Sequence, residues 1–190
     1  MKVNLYSKKI LIKPNCRELL PNYLRFVKGV VDCEDLPLNI SRENYQDTAL
    51  IAKLKNIITK RVLKMLVEES ERDEAAYLEW YSEFQFFLKE GLASEPEAQD
   101  QLLPLIRYHA NYTDKYVNID NYMKQMKPDQ ENIYFILAPS RELALSSPYM
   151  EPFKGTDIPV LIINMHVDEM VKIECRFSDN CKIIRTSISS

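Results

Sequence analysis

Residues 132–163, NIYFILAPSRELALSSPYMEPFKGTDIPVLII, decide the fold. The stretch opens on a short apolar run, NIYFILA at 132–138, and closes on another, IPVLII at 158–163. Runs of this length, rich in Ile, Val, Tyr and Phe, suit strands with both faces covered. Between them, residues 140–145 and 148–153 read as short helical pieces. Strand, helix, strand is a β-α-β unit, which implies a parallel pair joined by a right-handed crossover.

Working toward the C-terminus, residues 168–175 are expected to add a helix and 182–188 a strand. In the other direction, 119–127 reads as a short helix and the polar run 109–118 as a loop. Ser94, Pro96 and Glu97 form a helix-start signature, with Leu102, Leu103, Leu105 and Ile106 facing inward. Pro104 must kink or divide that helix, because it lacks a donor and clashes with the preceding turn. A helix starting near Ser70 would carry the stripe Tyr77, Trp80, Phe84 and Phe87 and stop at Gly91. Such an aromatic stripe belongs to a core more often than to a binding surface. Before it lies a longer amphipathic helix, with Asp47 or Ser41 as its cap. Ile51, Leu54, Ile58, Val62 and Met65 share one face of it, and Lys53, Lys55, Lys60 and Lys64 line the others.

The N-terminal stretch reads as a strand over 3–12, broken at Lys8-Lys9, and a buried strand over 24–31, LRFVKGVV. Pro14, Asn15 and Pro21 bracket a short element between them. The second strand ends in an acidic turn, Asp32-Cys33-Glu34-Asp35, which leads to the loop LNISRENYQ at 38–46. The expected fold is α/β: a partial α-β-α layer with this loop over 1–46, a linker of three or four helices over 47–127, and a smaller α-β-α layer over 128–190. Two strands beginning at residue 1 cannot form an independent sheet, so either the chain is a fragment or those strands pair with something else.

Composition excludes several functions. Among 190 residues only three are glycine, Gly29, Gly91 and Gly155, and their spacing permits neither GxGxxG nor GxxxxGK[ST]. A glycine-rich nucleotide loop is ruled out within this chain. The formal net charge of −3 argues against a nucleic-acid binder, and no stretch approaches the apolar length of a membrane span. Cys16, Cys33, Cys175 and Cys181 have no metal-ligand spacing with His109 or His166 and read as reduced intracellular thiols. No GxSxG, HExxH or EF-hand pattern occurs.

Asp32, Glu34 and Asp35 could support acid–base work, but acidic clusters in turns are more commonly solvated surface. Arg42 offers a permanently charged planar fork suited to phosphate or carboxylate, although composition alone makes it an exposed structural arginine.

Residues 20–46, LPNYLRFVKGVVDCEDLPLNISRENYQ, closely resemble the middle domain of the heat-shock protein 90 chaperones. The run LRFVKGVVD, the turn DCEDLPLN and the loop NISRENYQ occur in the family's order and spacing. LIRY (105–108), NIYF (132–135), SPYMEPFK (147–154), VLIIN (160–164) and VDE (167–169) extend the resemblance over essentially the whole chain. ILAPSRELALSSPY and LYSKKILI resemble the family's mitochondrial branch, with a cytoplasmic location as the alternative. Pro104 departs from the family's pattern, which continues as uninterrupted helix there.

The resemblance implies a segment of an ATP-dependent chaperone that assists protein folding. Its catalytic loop would supply Arg42 to the γ-phosphate of ATP, held with Mg by a separate N-terminal domain of the gyrase and histidine-kinase type. Gln46 would be the loop's second polar residue, and Asn39 would help hold the loop. Implied partners are client proteins, co-chaperones, that N-terminal domain, and a second copy joined through a C-terminal domain. The resemblance makes this chain a fragment lacking both flanking domains, inactive on its own. Two alternatives remain: a non-catalytic α/β protein-interaction module, and an autonomous small-molecule enzyme, which would need a deep polar pocket with perturbed carboxylates or histidines.

Overall fold

A computed structural model of the chain describes residues 2–34 and 48–164, and the backbone of 182–185. The described fold is mixed α/β and divides into two compact units, Met1–Gly91 and Leu92–Ser190.

In the first unit, β1 (Lys2–Ser7) lies between β2 (Ile10–Lys13) and β3 (Lys28–Asp32). β1 runs antiparallel to β2 and parallel to β3. The expected break at Lys8-Lys9 is a two-residue hairpin in which both lysines have positive φ, 50° and 69°. That conformation matches the twist of paired strands but strains residues that carry a Cβ. Val3, Leu5 and Ser7 alternate into the interior of β1. The turn Arg17–Leu19 packs over β1 and against the long helix α1 (Thr48–Arg72).

The strand expected over 24–31 is displaced. Leu24 is buried in a 3-10 turn, Asn22–Leu24, and pairing begins only at Lys28. Nor is β3 buried: it takes one partner in a three-stranded sheet, and Val30 is 70% exposed.

On α1 the buried positions are Leu63, Leu66 and Ser70, while Met65 is exposed. At 100° per residue these buried positions lie about 60–120° round the helix from Ile51, so the buried seam runs to one side of the expected stripe and Met65, about 40° away on the other side, is left outside it. Ser70 starts no helix. Its hydroxyl donates to the Val67 carbonyl within α1, at 2.8 Å. The break falls at Asp73, whose carboxylate accepts the Ala76 N–H at 3.0 Å and caps α2 (Glu74–Ser94).

The aromatic stripe of α2 closes on Phe26, whose ring centroid lies 5.7, 5.0 and 5.4 Å from those of Trp80, Phe84 and Phe87. Arg25 lies over Phe87 at 4.5 Å and bonds Glu90 at 2.6 Å, bracing the half-exposed rim of this cluster. Gly91 does not end the helix, which continues to Ser94. It sits where the Tyr23 ring presses on the helix, and an added Cβ would lie 2.5 Å from that ring's Cγ.

In the second unit, Ser94 does not cap the next element. A 3-10 turn, Pro96–Ala98, leads into α3 (Gln99–Leu102), with Glu95 at the cap position and Pro96 in the first turn. Pro104 divides the helix as its chemistry requires: α3 gives way to a 3-10 turn at Leu103–Leu105. The polar run after it is not a loop but a hairpin, β4 (Tyr108–Ala110) and β5 (Thr113–Val117). Tyr108, Ala110 and Val117 point inward, an alternation hidden by the polar residues between them.

Helix α4 (Ile119–Gln125) follows, capped by the Asn118 side chain. The expected β-α-β unit comprises β6 (Asn132–Leu137), α5 (Arg141–Ser146), a 3-10 segment Pro148–Phe153, and β7 (Val160–Ile163) parallel to β6. β8 (Lys182–Arg185) lies parallel to β6 on its other side, completing the order β5-β4-β7-β6-β8. The helix expected over 168–175 lies outside the described residues. Ile136, Ala144, Met150, Val160 and Ile162 form the core between sheet and crossover.

The Tyr122 hydroxyl ties α4 to this sheet. It donates to the Pro159 carbonyl at 2.8 Å and accepts the Tyr134 N–H at 3.0 Å. Tyr122→Phe strands both groups in a fully buried site and is expected to cost about 2 kcal/mol, read as a lower urea midpoint with unchanged slope.

Candidate functional site

The three residues singled out for chemistry, Asn39, Arg42 and Gln46, lie outside the described residues, as does Asp35. The structure does define the two ends of the segment that carries them. It leaves β3 after Asp32 and enters α1 at Thr48. β3 is held in parallel register with β1 from Lys2↔Lys28 to Tyr6↔Asp32. One further bond, from the Cys33 N–H to the Tyr6 carbonyl at 3.0 Å, extends that pairing past the end of the strand.

Asp32 also has a structural partner, since its carboxylate accepts the Lys9 N–H at 3.1 Å. Lys9 is one of the two strained hairpin residues, so this carboxylate braces the turn at the exit from β3. Glu34 beside it is exposed. Of the acidic cluster, the described members thus comprise a turn brace and a solvated surface group.

The Cys16 thiol is buried and bonded to the Glu18 carboxylate at 3.3 Å. Burial, reinforced by that carboxylate, raises its pKa to about 11, which keeps it a thiol rather than a nucleophilic thiolate. Glu18 is held down to about 2, chiefly by its bond from Lys13. Alkylation of the folded chain at mildly alkaline pH should therefore label half-exposed Cys33 and spare Cys16 until denaturant is added; peptide mass mapping distinguishes the two.

Among the described residues of the second unit, two clefts carry polar side chains. One, of about 400 Å³, has an apolar floor of Leu145, Met150 and Phe153 under a rim including Tyr112 and Lys154. The other, of about 320 Å³, is lined by His109, Asp114, Ser140, Arg141 and Glu142. Arg141 there is engaged in structure. It donates to the Ala110 carbonyl at 3.0 Å and the Asn111 carbonyl at 3.3 Å and pairs with Asp114 at 2.8 Å, pinning the β4–β5 hairpin. Only its place at the start of α5 marks it in the sequence. Glu142 is held below its usual range by its own backbone N–H and by Ser140, so it is not a raised carboxyl poised to donate a proton. Among the described residues no group of His, Cys, Asp and Glu could hold a metal ion.

The three glycines do not form a glycine-rich turn ahead of a helix N-terminus. Gly29 lies in β3, Gly91 within α2, and Gly155, at φ +74°, precedes a strand rather than a helix. No described helix is long and apolar enough to cross a membrane.

The sequence matches the family model described as Hsp90 protein across residues 1–185, a span that includes both flanks and the whole of the β3–α1 segment. The chain belongs to the Hsp90 family. Its Hsp90 relatives include the chaperone protein HtpG of Desulfotalea psychrophila, 44% identical over 171 residues, which is 89% of this chain and 28% of that protein. The TNF receptor-associated protein 1 homolog, mitochondrial, of Dictyostelium discoideum is 42% identical over 175 residues, 89% of this chain and 24% of its own length. Heat shock protein 75 kDa, mitochondrial, of Rattus norvegicus is 36% identical over 186 residues, 96% of this chain and 26% of its own. This Hsp90 chain thus spans about a quarter of the length of the curated relatives it matches.

Proposed function

We propose that this chain is a middle segment of an ATP-dependent chaperone and that its β3–α1 segment lends Arg42 to a nucleotide held by a separate domain. The observation that carries the reading is the position of SRENYQ (41–46) between a registered strand and a long helix, inside a family match that spans residues 1–185.

Arg42 would approach the γ-phosphate, where a desolvated guanidinium offsets charge developing on the equatorial oxygens. Gln46 would be the second polar group of the loop, and Asn39 would hold its shape. Mg would accompany the ATP in the other domain. Client proteins and co-chaperones are the partners of the whole protein, and a second copy joins through its C-terminal part. The mitochondrial names of two relatives support a mitochondrial location. ATP hydrolysis by the full-length protein carrying Arg42→Ala tests the reading. Turnover equal to wild type would leave the segment a non-catalytic interaction module.

A further inference from the structure

Arg25 shows how the aromatic face of α2 holds a cation. Its guanidinium lies 4.5 Å from the centroid of the Phe87 ring and pairs with Glu90, three residues further along the helix, at 2.6 Å. The ring offers its negative face and the carboxylate its charge, so one planar cation satisfies both. The same pair of groups recurs two turns earlier. Trp80 and Glu83 have the spacing of Phe87 and Glu90, and the seven residues between the pairs place them about 20° apart round the helix and about 10 Å along it. Here no cation from the chain takes the corresponding place: among the described residues none lies over Trp80, and Glu83 forms no ion pair.

This second place is reachable from outside. Glu83 is exposed and Trp80 half-exposed. Trp80 stacks on Phe84 with ring centroids 5.2 Å apart and planes at 13°, an offset that leaves part of each face uncovered by the other. Phe86, 50% exposed, stands three residues beyond Glu83 on the side away from Trp80. At 100° per residue the carboxylate falls midway between the two rings, about 60° from each. Phe86 is left out of the core, which takes Tyr77, Tyr81 and Leu88 from the same helix.

We infer that Trp80, Glu83 and Phe86 take the guanidinium of an arginine presented by a partner protein, with apolar residues beside that arginine resting on Phe86. Charge complementarity selects a cation, and arginine's planar fork suits ring and carboxylate together better than a lysine ammonium does. Glu79, exposed one turn before Glu83, adds to the negative field. The same carboxylates repel the phosphates of nucleic acids and anionic lipids. The inference holds whether or not Arg42 acts on nucleotide.

The test uses the full-length protein and a fluorescein-labelled peptide with one arginine between two leucines, followed by fluorescence anisotropy. Glu83→Gln is expected to weaken binding about tenfold, and Phe86→Leu, which keeps apolar bulk but removes the ring, about threefold. Both positions are exposed, so neither exchange threatens the fold. Glu74→Gln, on the same helix about 13 Å away, should change binding less than about twofold. A peptide with citrulline in place of arginine keeps the shape without the charge. It should bind wild type about as weakly as the arginine peptide binds Glu83→Gln. The inference is overturned if citrulline and arginine peptides bind wild type equally, or if Glu83→Gln and Glu74→Gln have equal effects. It is also overturned if phosphatidylcholine vesicles, whose headgroup carries a cation of its own, bind wild type more tightly than the peptide does and lose that binding in Glu83→Gln.

Discussion

In the full-length protein, Arg42→Ala should lower ATP turnover about a thousandfold while leaving nucleotide affinity within about twofold of wild type. A thousandfold corresponds to about 4 kcal/mol of transition-state stabilisation, within reach of one guanidinium acting in a water-excluded site. The split between turnover and affinity is the informative part. A nucleotide held by another domain keeps its binding contacts when Arg42 is lost, whereas the charge developing during transfer loses its partner. Arg42→Lys should recover only part of the loss, because an ammonium supplies the charge without the planar fork. Gln46→Ala and Asn39→Ala should reduce turnover less, as expected of groups that shape the segment. Single-turnover kinetics with a parallel binding titration reads both quantities.

Gly91→Ala should destabilise the first unit by about 2 kcal/mol or more. In an exposed helix this exchange would stabilise by about 1 kcal/mol, so even the sign of the effect is diagnostic. The added Cβ would lie 2.5, 2.7 and 2.9 Å from Cγ, Cδ2 and Cδ1 of Tyr23, a ring that is 2% exposed and has nowhere to go. Gly29→Ala is the control, since nothing lies within 4 Å of its added Cβ. Combining Gly91→Ala with Tyr23→Leu should recover part of the loss, giving a non-additive cycle. Urea unfolding with unchanged slope would confirm a packing effect; equal midpoints for Gly91→Ala and wild type would contradict the contact.

These two positions show what the sequence did and did not disclose. The β6–α5–β7 unit was legible because its strands are continuous apolar runs flanked by turn residues. The break at Pro104 was legible because proline's chemistry is local. Gly91 was misread because a glycine near a helix end is usually a stop, and the ring that requires it arrives from Tyr23, far away in sequence. The β4–β5 hairpin was missed for a similar reason: three inward residues separated by polar ones carry too short a period to register.

At the candidate site, composition could not distinguish Arg42 from an ordinary surface arginine; only the resemblance of the surrounding motif did.

The central claim is that position 42 approaches the terminal phosphate of a nucleotide held elsewhere in the protein. A nitroxide attached at Arg42→Cys, in a full-length background with its native cysteines replaced, tests this without relying on activity. With a non-hydrolysable ATP analogue bound, phosphorus NMR should show the γ-phosphate resonance broadened most and the α-phosphate least. Equal sharpness of all three resonances in the nucleotide-saturated protein would contradict the claim.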